Sequence, residues 1–75
     1  RLDINTEQEI FRNIKENYPD ITIIIVAQKI SSIKDCDRIY VLEKGSIESE
    51  GKHEILINQS PIYKEIELTQ RNYQS

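Results

Sequence analysis

The stretch ITIIIVA, residues 21–27, is β-branched at six of its seven positions and does not alternate with polar residues. Ile, Val and Thr favour extended backbone, and a strand apolar on both sides is the pattern of a parallel sheet with helices on each face. Such a strand needs two covering layers and flanking strands. A chain of 75 residues can offer only part of that, since one core of this size contributes only a few kcal/mol of net stability. The expectation is that neighbouring strands lie in sequence outside these 75 residues. The absence of methionine points the same way, as does an opening, RLDINTE, that goes straight into a helix cap.

Charge and composition exclude several classes. Thirteen acidic residues against ten basic ones give a net charge of −3, and the basic residues are scattered, so no electrostatic footprint for nucleic acid exists. No apolar stretch approaches the ~20 residues that span a bilayer, and nothing at the amino end reads as a signal peptide, so the chain is expected to be soluble. The single cysteine, Cys36, rules out an internal disulfide and fits a reducing cytosol.

Along the chain, helices and strands alternate. Asp3, Asn5 and Thr6 are all N-cap types, Gln8 follows Asn5 by three residues, and Glu7 and Glu9 place negative charge in a first turn. A helix is expected there, with Ile10, Phe11, Ile14 and Tyr18 on one stripe, ended by Pro19. After the apolar strand comes a short polar segment, KISSIKDCD, with Ser31 and Ser32 as caps of a short helix. A second strand is expected at RIYVLEKG, a turn at Gly45 and Ser46, and a short half-exposed edge strand, SIES, in a ribbon ended by Gly51. KHEILIN reads as a short helix. Ser60 and Pro61 read as the N-cap and first position of a last helix, lined on one side by Ile62, Tyr63, Ile66 and Gln70. The fold class is α/β with a mainly parallel sheet plus a short antiparallel edge strand. One partial domain covers the chain: residues 1–19 as loop and helix, 20–50 as strands, and 51–75 as the final helices.

Taken together, RLDINTE, TIIIVAQKISSIKDCDRIYVLEKGSIESEGKHEIL and PIYKEIELTQ resemble the carboxyl-terminal part of an ABC transporter nucleotide-binding domain of the exporter type. In that family an ALD..TE segment, the D-loop, follows the Walker B strand. The next strand ends in AHRLST, the switch loop, followed by ADRI.VL..G.I.E.G.HEEL and a final Y..L...Q. The match runs from Arg1 to about Gln70 in the family's order. It implies a P-loop NTPase fold, ATP and Mg as cofactors of the intact domain, and a second nucleotide-binding domain and transmembrane domains as partners. It also implies a location at the cytoplasmic side of a membrane.

The departures from the family pattern carry their own implications. The Walker A loop, Q-loop, signature motif and Walker B strand would all precede Arg1, and with only Gly45 and Gly51 no glycine-rich phosphate cradle can be built. The isolated chain is therefore expected to be inactive, with no cofactor of its own. Arg1 stands where the family has Ala. Gln28 stands where the family has the switch histidine that reaches the γ-phosphate, beyond the carboxyl end of a strand, where ligands bind in open α/β sheets. Histidine can carry charge near neutral pH, whereas the glutamine amide donates or accepts without it. Gln28 in this place resembles the degenerate subunit of heterodimeric exporters, whose composite site binds ATP and turns it over slowly. Asp3 would be the D-loop aspartate that communicates across the dimer.

Read from residue types alone, Gln28 and Lys29 are solvated residues that end a strand, and Asp3 is a helix N-cap. His53 has no Cys or His partner at ligand spacing, so it reads as a structural residue at a helix start and no metal site is expected. Cys36 reads as a small buried filler. A different class of function stays open beside the transporter reading: a self-standing protein-interaction module, with no ATP turnover, that pairs through an exposed strand edge.

Overall fold

The computed structural model describes residues 4–74. Helix α1 spans Ile4–Asn17. It begins before Asn5 and Thr6, which therefore lie inside its first turn and do not cap it, and Asp3 falls outside the described residues. Tyr18 N–H still donates to Ile14 C=O at 2.8 Å, and the chain leaves the helix at Pro19, where the ring disfavours helical geometry in the residue before it. The helical stripe is only partly covered, with Phe11 and Ile14 half-buried and Ile10 and Tyr18 exposed.

Residues 21–26 correct the first expectation. They form no paired strand among the described residues, and Ile24 and Val26 are 87% and 97% exposed. Only Ile23 and Ile25 are half-buried. The composition of the run demands two covering layers, and among the described residues it pairs with no strand. The expected parallel sheet is accordingly absent there.

What forms instead is one antiparallel hairpin, β1 (Ile39–Glu43) with β2 (Ser46–Gly51). Two residues link the strands, Lys44 at φ 52 and Gly45 at φ 81. Positive φ at both central positions is the geometry whose twist matches that of a hairpin, and Gly45 takes it without a Cβ penalty. The register runs Ile39 to Gly51, Tyr40 to Glu50 and Val41 to Ser49, then slips so that Leu42 faces Ile47. Glu48 is thus the extra residue of a β-bulge, a device that bends a strand and re-aims a side chain.

Helices α2 (Ile30–Ile33), α3 (His53–Gln59) and α4 (Pro61–Gln74) close the structure. Ile30, Ile39, Val41, Leu56 and Tyr63 form the core, flanked by Ile33, Cys36, Ile57 and Ile62. The half-buried Cys36 is a filler against that core, its thiol pushed up by burial and by neighbouring Asp37. Ser60 caps α4, its Oγ accepting the Tyr63 N–H at 3.1 Å. With Pro61 as the first helical residue, the expected signal is realised. His53 opens α3 and its Nδ1 lies 2.8 Å from the Tyr63 hydroxyl, with the two rings edge to face. Burial pushes the Tyr63 phenol up to about 12.

Candidate functional site

The loop at Gln28 and Lys29 is where the apolar run ends and α2 begins. Both residues are exposed, and Lys29 takes an extended backbone, φ −99 and ψ 124, as the N-cap of α2. Directly behind it Ile30 is buried in the core at 7% exposure. A solvated tip is therefore fixed to a packed residue two positions on.

Two elements hold this loop and the short helix after it. From α4, Gln70 Nε2 donates to the Gln28 carbonyl at 2.6 Å, and Gln70 Oε1 accepts the Ile30 N–H at 2.9 Å. From α1, Glu7 Oε1 accepts the Ser32 hydroxyl at 3.0 Å. Ser31 and Ser32 lie inside α2 and do not cap it. The Ser31 hydroxyl is buried and has no hydrogen-bond partner among the described residues.

The chemistry available at the tip is limited. Gln28 offers an uncharged amide, both donor and acceptor, and Lys29 a flexible cation. Among the described residues no group of His, Cys, Asp and Glu could hold a metal ion. Gly45 is taken up by the hairpin turn and Gly51 by the end of β2. Measured against a MgATP site, the described residues build neither a phosphate cradle nor a magnesium site.

Gln28 is exposed at the end of the apolar run. Asp3 lies outside the described residues. The role of Gln70 goes beyond its expected place on the lined side of α4. The signal that could have revealed it is an amide on the helix face shared with buried Tyr63, since polar groups on a packed face need partners.

No family model matches the chain, and no solved structure matches it. Curated relatives do. The mitochondrial iron-sulfur clusters transporter ATM1 of Kluyveromyces lactis is 39% identical over 74 residues, 95% of this chain and 10% of that protein. The leukotoxin translocation ATP-binding protein LktB of Mannheimia haemolytica is 38% identical over 72 residues, again 95% of this chain and 10% of the relative. The serine protease/ABC transporter B family protein tagB of Dictyostelium discoideum is 39% identical over 64 residues, 84% of the chain and 3% of the relative. The chain spans about a tenth or less of the length of these relatives. No helix among the described residues is long and apolar enough to cross a membrane. Across most of its length, the chain is a homologue of ABC exporter ATP-binding proteins.

Proposed function

We propose that these residues form the carboxyl-terminal segment of the ATP-binding subunit of an ABC exporter, and that they contribute a degenerate ATP site in a heterodimer. The observation that carries this reading is the placement of Gln28, exposed at the end of the apolar run on a backbone held by Gln70. In the intact domain Gln28 contacts the γ-phosphate of MgATP, whose remaining contacts come from other parts of the subunit and from its partner. Charge-assisted hydrogen bonds are roughly twice as strong as neutral ones. An amide in place of an imidazolium therefore holds nucleotide while stabilising the transition state less.

Asp3 crosses the interface between this nucleotide-binding domain and the second one. ATP-driven closure of the two domains, on the cytoplasmic side of the membrane, moves the attached transmembrane domains and exports substrate. The 75 residues by themselves turn over no ATP.

The test is Q28H in the full-length complex with ATP turnover measured. Turnover rises if Gln28 is what slows the site. Two equally active sites in the native complex overturn the degenerate-site reading.

The exposure of Ile24 and Val26 favours a second reading, a self-standing interaction module. The coding sequence upstream of Arg1 separates the two. A phosphate loop, a signature motif and an apolar strand ending in acidic residues support the exporter, and a start codon directly before Arg1 supports the module.

A further inference from the structure

The two hydrogen bonds from Gln70 straddle one residue. Its amide donates to the carbonyl of Gln28 and accepts from the N–H of Ile30, and Lys29 between them is extended. In a parallel ladder one strand's peptide groups make this pattern, donating to the carbonyl before a residue and accepting from the N–H after it. A side-chain amide from α4 therefore does the work of a neighbouring strand at a point where, among the described residues, no strand lies alongside.

The same bond meets a second need. The first amides of any helix have no partner within it, and the Lys29 side chain does not cap α2. Ile30 N–H is the first of these amides and belongs to a buried residue. Without Gln70 it would lose its partner beside the core, at the cost that attends any buried unsatisfied donor.

We propose that Gln70 is a positioning residue for the loop at Gln28. By fixing the backbone on both sides of Lys29, it sets where the Gln28 side chain stands and makes α4 a determinant of the loop's geometry. The effect on ATP affinity rests on the reading above, that Gln28 meets nucleotide. The effect on the backbone does not.

The experiment compares Q70L, Q70E and Q28A in the full-length subunit within its complex, by site-resolved amide exchange, ATP affinity and ATP turnover. Leucine keeps much of the packing and loses both bonds. The Ile30 amide in Q70L should exchange roughly tenfold faster, as loss of a hydrogen bond of ordinary strength implies. The Leu56 amide, bonded to Lys52 C=O at 3.0 Å within α3's first turn, should be unchanged and reports that the fold is intact. In Q70E, which keeps the acceptor and loses the donor, Ile30 should stay protected. ATP affinity at this site should fall in Q70L as it does in Q28A, while the unchanged Leu56 amide excludes a general loss of packing.

Unchanged Ile30 exchange in Q70L overturns the proposal. So does an ATP affinity that Q28A lowers and Q70L leaves alone. If Q28A changes neither turnover nor ATP affinity while Ile30 exchange responds as expected, the nucleotide assignment of Gln28 is what fails, and the backbone role of Gln70 stands on the exchange result.

Discussion

The hydroxyl of Ser60, 1% exposed, donates to Glu48 Oε1 at 2.8 Å and so ties the bulge of the hairpin to the start of α4. The bulge is what makes the contact, because Glu48 is the residue left out of the ladder. Ser60 accepts at the same time from Tyr63 N–H. Replacing Ser60 by Ala removes a cap and a cross-link together and should lower stability by about 1–2 kcal/mol. Denaturant titration checks this, and an unchanged midpoint would show that the cap carries no weight.

Glu48 also predicts a pH dependence. Hydrogen bonds from Ser49, first, and from Ser60 hold its carboxyl below the ordinary value of 4.5. A folded-state value below the unfolded one stabilises the fold above about pH 4.5, and that contribution is lost as pH falls from there through the folded value. The stability gap between the native chain and E48Q should be widest at neutral pH and should close in acid. Parallel curves from pH 7 to pH 3 would sink the assignment.

At the other end of the scale stands Tyr63. Its phenol is pushed up to about 12, by burial first and by Glu67 next. Here the folded value lies above the unfolded one, so the stabilisation is complete below about pH 10 and is lost as pH rises towards 12. An absorbance titration should show one late tyrosine that is missing from Y63F. Loss of the bond to His53 should cost Y63F about 0.5–1.5 kcal/mol.

Two leucines give a contrast in burial. Leu56 is 1% exposed and Leu42 is 69% exposed. Leu56→Ala should cost about 2–5 kcal/mol through lost transfer energy and a cavity, comparable to the whole stability of a small domain. Leu42→Ala should stay within about 0.5 kcal/mol. Equal losses, read by thermal melting, would show that the core lies elsewhere.

Much of this fold is legible wherever the signal is local. Gly45 marks the hairpin turn, Ser60 and Pro61 mark the start of α4, and Pro19 marks the end of α1, each because a backbone geometry admits few residue types. The same reading misplaces residues 21–26. Six β-branched residues state that a strand wants cover on both faces, and they say nothing of whether the cover is within reach. Gln28 is found at the exposed tip where its polarity puts it. Gln70 escapes because its partners are the backbone groups of Gln28 and Ile30, some forty residues earlier, and backbone groups leave no trace in composition.

The exposed run carries a consequence for assembly. Residues 21–26 contain no charge, with Asp20 before them and Lys29 soon after. Flanking charges of this kind act as gatekeepers that slow self-recruitment without abolishing it. A β-prone stretch whose Ile24 and Val26 stand in solvent joins whichever strand edge it meets first. Its fate is therefore a race, decided by concentration, between staying within one chain and capture by another copy. Seeding, lag times and dependence on chain concentration are the quantities in which that race would be read.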